Sequence, residues 1–234
     1  MKSLTTTGRI AVIAAGIGIL LAFVMVGVLL RRATRRPLPR TETARARQQR
    51  ADPSGYDLGR PVRLMPTAFP RNTHLPDRRE GSVSGSVDPE AFSAGRDLVY
   101  VDDSRVWWES DHDENDDECD HSMHVAMVVP FRRVVELVCA RGGTLEVHDA
   151  YRAARVHGSR SLHKEGRAVD LTCDELGLET LAKLCWAAGF DWVYYETGSG
   201  GAHVHCSVRR DHDVVEQRFA STQPAATQPP TQRE

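Results

Sequence analysis

The sequence predicts an α+β fold in which a mainly antiparallel sheet is flanked by two helices and preceded by a transmembrane helix. Three observations predict it. Residues 10–30 form one apolar run that contains no charge. Two later segments have apolar residues at helical spacing, and several short runs alternate in the manner of strands. Helices and strands in this mixed order are typical of an α+β domain.

The apolar run at 10–30 is long enough to cross a bilayer, since about 20 apolar helical residues span the hydrocarbon core. A cleaved signal peptide is the alternative, but the run is long for one, and arginines follow it in place of a small-x-small cleavage site. We therefore predict a single-pass anchor after a short segment at 1–9. The arginines that follow the span favour the cytoplasmic side for the domain. Long domains translocate despite such charge, and we expect this one on the extracytoplasmic side.

Composition divides the rest of the chain into three parts. Residues 31–60 are rich in Arg, Thr, Pro and Gln without apolar periodicity, and they predict a flexible stalk. Residues 61–210 are enough for one domain with its own core. The Gln-, Pro- and Thr-rich tail at 211–234 predicts disorder. A net charge of −2 without a clustered basic face predicts no nucleic-acid binding.

Periodicity within the domain gives the order of its elements. Val134 and Val138 share one face of a helix that Pro130 begins. A glycine-rich turn at 197–201 joins the last two strands as a hairpin. The predicted strands lie at Leu98–Val101, Thr144–Asp149, Arg167–Thr172, Asp191–Glu196 and His203–Val208, and the predicted helices at Pro130–Arg141 and Leu178–Ala188.

Two histidines and one aspartate are placed where they can hold a metal ion. His163 precedes a turn that Gly166 permits, and the strand that follows can return the Asp170 carboxylate towards the imidazole. His203 and His205 lie two apart on a strand, so their side chains share one face. Imidazole and carboxylate are zinc ligands, and three protein ligands leave a fourth position for water, as in catalytic sites. We therefore predict one zinc ion bound by His163, Asp170 and His205 in a groove of the domain.

Four further side chains are candidates for chemistry around that metal. Glu196 ends the strand before the hairpin and lies near His203, where its carboxylate could act as general base towards a metal-bound water. His203 and His157 are candidates to donate hydrogen bonds to a developing oxyanion. Arg152 could bind a substrate carboxylate through two parallel hydrogen bonds.

Each of these residues also has a plain structural interpretation. The spacing from His163 to Asp170 is not specific by itself, and Asp170 can cap a strand end. Glu196 can be a hairpin charge and Arg152 a surface arginine. The acidic run at 111–120 is interpreted as a solvated loop, although clustered carboxylates also suit hard divalent ions. The five cysteines include no Cys-x-x-Cys pair and are interpreted as buried thiols.

Three segments resemble the hedgehog amino-terminal signalling domain. They are Ser161–Thr172 (SLHKEGRAVDLT), Ala188–Glu196 (AGFDWVYYE) and Ala202–Val208 (AHVHCSV). A weaker likeness at Arg63–Phe69 and Thr144–Asp149 extends the resemblance over residues 60 to 210. The core Ser-x-His-x-x-Gly-x-Ala-x-Asp, with the later Glu and His-x-His, also resembles D-alanyl-D-alanine carboxypeptidases and dipeptidases, which cut cell-wall peptides.

The resemblance implies the same three zinc ligands, with Glu196 at the catalytic-base position and His157 and His203 around the metal water. Animal hedgehog proteins carry acidic calcium ligands between the first core strand and the zinc motif. Only Asp149 keeps an acidic character here, so calcium binding in the hedgehog manner is not expected. Ala150–Arg152 (AYR) instead resembles the Gly-Tyr-Arg segment of the peptidases, in which the arginine contacts substrate.

Two functions follow as expectations. The first, favoured by the match of Arg152 to a substrate clamp, is a membrane-anchored zinc metallopeptidase that cuts peptidoglycan or similar peptides with Glu196 as general base. The alternative is a catalytically silent, hedgehog-like domain that contains zinc and binds a protein or polysaccharide partner. A purely structural zinc is disfavoured, since structural sites are usually closed by four protein ligands.

Overall fold

The computed structural model describes residues 51–109, 118–153, 160–198 and 201–212. The predicted span at 10–30 lies outside these residues, as do most of the predicted stalk and tail. Within the described ranges, no helix combines the length and the apolar character needed to cross a bilayer.

The described residues form ten strands, four α-helices and three short 3-10 helices. The strands are β1 (His74–Leu75), β2 (Leu98–Tyr100), β3 (Val106–Trp108), β4 (Glu118–Cys119), β5 (Ser122–His124), β6 (Leu145–Asp149), β7 (Tyr151–Arg152), β8 (Ala168–Thr172), β9 (Trp192–Gly198) and β10 (Gly201–Ser207). The α-helices are α1 (Glu80–Val83), α2 (Ala94–Asp97), α3 (Val128–Cys139) and α4 (Leu178–Ala188). The 3-10 helices are Pro53–Gly55, Val125–Met127 and Leu162–Glu165.

Six strands form the main sheet, in the order β1-β9-β10-β8-β6-β3. Every neighbouring pair is antiparallel except β3 and β6, which run parallel. The prediction of an α+β fold with a mainly antiparallel sheet is therefore confirmed. Strand β3 was not predicted, because its three residues are all apolar and show no alternation of apolar and polar side chains. Trp107 lies on this edge strand with 49% of its surface exposed.

Helices α3 and α4 supply the apolar layer that covers one face of the sheet. Val134, Val138, Leu181 and Cys185 are fully buried in the same core as the inward-facing residues of the strands. Helix α4 has the predicted bounds, and it ends where Gly189 takes a φ of 107°, which a residue with a side chain rarely adopts. Helix α3 begins two residues before the predicted Pro130, which is the third helical residue.

Side chains that alternate along the strands divide the sheet into a core face, which α3 and α4 cover, and a more open face. On β8, Val169 and Leu171 are buried whereas Asp170 between them is half-buried. On β10, Val204 is buried between the half-buried His203 and His205. Because side chains alternate across a strand, the two histidines and the aspartate share the face that α3 and α4 leave open.

The segment that precedes α2 also contributes to this open face. Strand β1 pairs with β9, and α1 follows it after one short turn. Buried Arg167 donates hydrogen bonds to the carbonyls of Ser84 and Ser86 and so attaches the end of this segment to the sheet. The sequence predicted only irregular structure here, since neither a strand of two residues nor a helix of one turn leaves a periodic pattern.

Four of the five cysteines have described side chains, and these agree with the interpretation as buried thiols. Cys173, Cys185 and Cys206 are buried, Cys139 is half-buried, and all four are free thiols. Burial raises the pKa of the Cys206 thiol well above its usual value, which keeps it neutral and unreactive.

Candidate metal centre

The three predicted metal ligands meet on the open face of the sheet. His163 comes from the 3-10 helix at Leu162–Glu165, Asp170 from β8 and His205 from β10. One potential ligand atom from each lies within 4.8 Å of the others. Among the described residues, this is the group of histidine, cysteine and acidic side chains with the spacing to hold a metal ion.

Local structure explains how His163 reaches the site. Gly166 ends the 3-10 helix at a φ of 62°, and the chain turns there into β8. An added Cβ at Gly166 would lie 2.8 Å from the backbone nitrogen of His124, so only glycine fits this turn. The turn leaves the His163 ring almost fully buried, with Nδ1 2.9 Å from the Ala150 carbonyl oxygen and Nε2 3.5 Å from Oδ2 of Asp170.

His205 lies between two carboxylates. Its Nδ1 is 2.7 Å from Oδ1 of Asp170, which faces it from the paired position on β8. Its Nε2 is 2.8 Å from Oε1 of Glu80 on α1. Sequence reasoning missed Glu80, which is 125 residues away in the chain and lies in a segment without periodicity.

The electrostatics of the site follow from burial and these contacts. Burial opposes a charged form of both imidazoles, but Asp170 raises the pKa of His163, and Asp170 and Glu80 together raise that of His205 well above its usual value. Burial likewise opposes ionisation of Asp170, yet the two histidines hold its pKa well below the ordinary range. The cluster thus keeps its carboxylate ionised at neutral pH, as a metal ligand requires.

Glu196 and His203 lie on the rim of the site. They are directly paired across the β9–β10 hairpin, as the sequence predicted. Nε2 of His203 is 3.7 Å from Oε2 of Glu196 and 3.7 Å from Oδ1 of Asp170. Both rim side chains remain reachable, since 42% of the Glu196 side chain and 22% of the His203 side chain are exposed.

Of the other two predicted site residues, the structure describes Arg152. Arg152 lies on β7, where its Nε is 3.7 Å from Oδ1 of Asp149 and only 14% of its side chain is exposed. Asp149 also approaches Nδ1 of His163 at 3.5 Å. Arg152 is therefore engaged with an acidic neighbour of the metal cluster. His157 lies outside the described residues, as does most of the acidic run at 111–120.

The donor set fits a zinc ion. Two imidazole nitrogens and a carboxylate oxygen are ligands that zinc accepts, and three protein ligands leave a fourth position open. Each ring is also oriented through its second nitrogen, His163 by the Ala150 carbonyl and His205 by Glu80. Such second contacts are the usual accompaniment of histidines that bind metals.

Comparison with known proteins agrees with this geometry. The family described as the hedgehog amino-terminal signalling domain matches residues 67–207. The chain belongs to this family. The matched range contains every residue of the metal cluster, together with Glu80, Glu196 and His203.

Several curated hedgehog proteins are similar over part of the chain. The chain is 46% identical over 77 residues to the Indian hedgehog B protein of Danio rerio, which covers 32% of this chain and 18% of that protein. Identity to the Sonic hedgehog protein of Danio rerio is 45% over the same length and the same shares. For the hedgehog protein of Drosophila hydei it is 41% over 73 residues, or 30% of this chain and 15% of that one. The chain thus spans less than a fifth of these relatives.

These findings correct the predicted activity. The prediction of a zinc metallopeptidase is wrong, because the matched family is a signalling domain and the relatives at 43–46% identity are hedgehog proteins. The likeness to D-alanyl-D-alanine peptidases is consistent with a shared site, but nothing supports a cell-wall substrate. The predicted activity gave weight to Arg152 as a substrate clamp, and in the structure the Nε of that side chain lies 3.7 Å from Oδ1 of Asp149.

Proposed function

We propose that this chain is a zinc-containing signalling domain that acts by binding a protein partner at its metal face. The observation that carries the proposal is the convergence of His163, Asp170 and His205 on one point of the open sheet face. Membership of the hedgehog signalling-domain family supports the same interpretation. Turnover of a substrate forms no part of it.

His163, Asp170 and His205 would hold the zinc. When bound, the ion supplies a positive charge and a coordination position that the protein does not fill. The chain's own residues hold the three ligands in place through Ala150, Asp149 and Glu80. These contacts come from two distant parts of the chain, residues 149–150 and residue 80, so the site depends on the complete fold.

The rim gives the proposed partner its access. Glu196 and His203 are partly exposed on the same face and lie within 3.7 Å of each other. Their carboxylate and imidazole can exchange hydrogen bonds with a protein surface that docks over the site. A protein that presents a side chain able to occupy the free metal position would combine that bond with rim contacts.

The place of action is proposed on similar grounds. A signalling domain that meets a protein on another surface must lie outside the cytoplasm, as we expected for residues 61–210. The apolar run at 10–30 would then anchor the chain by a single span. A reporter fused after residue 210 tests this arrangement, and a reporter active only in the cytoplasm would contradict it.

Metal content of the purified full-length chain tests the site. We expect one zinc per chain after dialysis against trace zinc, and less than about a tenth of that in His163→Ala and His205→Ala, which each remove a ligand. His148→Ala is the matched control, because that histidine bonds Glu109 and Thr172 away from the cluster. Full zinc content in both ligand variants would overturn the assignment.

A photo-reactive amino acid at position 196 tests whether a protein partner docks at the rim of the metal site. The side chain is 42% exposed on the rim, so a protein that docks there should be cross-linked on intact cells. We expect a cross-linked protein with the otherwise wild-type chain and its loss when His205→Ala is added. A cross-linking pattern unchanged by that addition would show that the metal face does not bind the partner.

A further inference from the structure

Glu80 occupies a position that the family match alone does not explain. Its Oε1 lies 2.8 Å from Nε2 of His205. The other ring nitrogen, Nδ1, lies 2.7 Å from Asp170 and points into the cluster. One nitrogen thus faces the metal ligands, and the other faces a carboxylate from a separate element.

We propose that Glu80 is a positioning residue of the metal centre, which holds His205 in the orientation and tautomer that presents Nδ1 to the metal. The inference rests on the proposed zinc site and deepens it. Carboxylates face both ring nitrogens, since Asp170 lies at Nδ1 and Glu80 at Nε2. If a metal ion replaces the proton between Nδ1 and Asp170, the remaining ring proton must lie on Nε2, where Glu80 accepts it. A charged acceptor also makes the imidazole a stronger donor to the ion.

The structure holds Glu80 in place through contacts that are independent of the metal cluster. Glu80 begins α1, and Ser84 follows the end of that helix. Ser84 Oγ accepts a hydrogen bond from Ser207 Oγ at 2.8 Å, and both serines are buried. Ser207 lies two residues after His205 on β10, so helix and ligand strand are joined directly.

Arg167 provides the second attachment. It is 1% exposed, and its guanidinium donates to the carbonyls of Ser84, Ser86 and Val208. Ser84 and Ser86 lie just beyond α1, whereas Val208 follows the end of β10. A single buried side chain therefore ties the segment that carries Glu80 to the strand that carries His205. Such a support restricts Glu80 to a narrow range of positions beside the ring.

A purely structural role for Glu80 makes different predictions. If Glu80 only attached α1 to the sheet, its removal would lower stability without changing how His205 binds metal. If it positions the ring, removal should weaken zinc binding and alter the protonation of the two ring nitrogens. Affinity and nitrogen NMR signals therefore separate the two roles.

The test compares wild type, Glu80→Ala, Glu80→Gln and Glu90→Gln as full-length proteins. Zinc affinity is measured by competition with a chromophoric chelator, and the ring nitrogens of His205 are followed by 15N NMR. We expect Glu80→Ala to weaken affinity 10- to 100-fold, the usual range for lost outer contacts of a metal ligand. Glu80→Gln should lie between it and wild type, because an amide oxygen still accepts the Nε2 proton without the charge.

Glu90→Gln is the control, since Glu90 is an exposed carboxylate of the same region outside the cluster, and its affinity should stay within twofold of wild type. In zinc-loaded wild type, the NMR signals should show the proton on Nε2. Wild-type affinity in both Glu80 variants, or a proton on Nδ1, would overturn the inference and leave the zinc site standing. Absence of zinc from wild type would overturn the proposed function itself. If Glu80→Ala does not fold, Glu80→Gln and the NMR signals decide.

Discussion

Two polar clusters near the same strands differ in how their charges are balanced. In the first, buried Glu165 lies 2.8 Å from Arg167 and 2.8 Å from Arg210, and carbonyls accept the remaining hydrogens of Arg167. In the second, His163 and His205 meet the carboxylates of Asp170 and Glu80. We call the first cluster complete, because each of its charged groups meets an opposite charge within the protein. The second collects ligand atoms around one point.

The difference separates structural from functional polar groups. A buried ion pair that binds no further ligand matters for stability because removing one partner leaves the other charge buried and unpaired. A cluster of imidazoles and carboxylates that can release protons gains its largest stabilisation from an added cation. We therefore expect loss of the first cluster to lower the unfolding free energy both with and without zinc. Loss of the second should matter mainly when zinc is present.

The largest expected effect comes from Arg167→Leu. The substitution leaves Glu165 with Arg210 and the Asp88 backbone N–H as partners and deprives three backbone carbonyls of a donor, so unfolding should become easier by roughly 3–5 kcal/mol. Urea unfolding in a chelator, followed by circular dichroism, measures the change.

Arg141→Leu is the matched control, because this exposed arginine donates a hydrogen bond locally, to the Leu137 carbonyl near the end of α3. We expect its effect to stay within about 0.5 kcal/mol. An Arg167→Leu protein as stable as the control would mean that the cluster of Glu165, Arg167 and Arg210 does not stabilise the fold. The contrast between this cluster and the metal cluster would then be wrong.

Zinc should produce the second-largest effect. A ligand that binds only the folded state at about 100 times its dissociation constant stabilises it by about 2.7 kcal/mol. We expect this gain in wild type and none in His163→Ala, whereas the two proteins should differ far less in a chelator. Thermal unfolding with and without zinc measures it. Equal gains in both proteins would place the ion elsewhere.

Much of this contrast was visible in the sequence. The Ser161–Thr172 segment predicted a turn, a strand and two ligands, and the His-x-His pair predicted a shared face on the last strand. Both predictions depend on local rules, namely the freedom of glycine at Gly166 and the alternation of side chains in strands. The structure brings the three side chains together as expected.

The contribution of Glu80 and Arg167 could not be predicted in the same way. Glu80 contacts His205 across 125 residues, and Arg167 reaches Ser84 across 83 residues. Both contacts depend on how an irregular segment crosses the sheet, which no periodic pattern encodes. The contact of Arg152 could not be predicted for a related reason. Its ion pair with Asp149 depends on how the chain passes from β6 into β7, and the sequence shows only an arginine near a predicted strand.

A third cluster of the complete kind lies nearer to solvent and gives the smallest expected effect. Asp103 is paired with Arg105 at 2.8 Å and with Arg132 at 2.6 Å. Hydrogen bonds from Arg105 outweigh burial and lower the pKa of Asp103 from 3.8 to about 2. Since 42% of the Arg105 side chain is exposed, solvent weakens the pair.

Asp103→Asn should therefore cost only about 1 kcal/mol at pH 7, well below the cost of losing Arg167. The folded-state pKa of Asp103 is depressed, so its stabilisation is present above pH 4 and is lost as the pH falls towards 2. Urea unfolding from pH 7 to pH 2 should show the difference between variant and wild type shrinking towards zero. Asp102→Asn serves as the control, because Arg132 contacts Asp102 through its backbone carbonyl, which the substitution keeps. A difference that stays constant with pH would show that the arginines do not stabilise the ionised form of Asp103. Solvent exposure of Arg105 would then not explain why Asp103→Asn lowers the unfolding free energy less than Arg167→Leu.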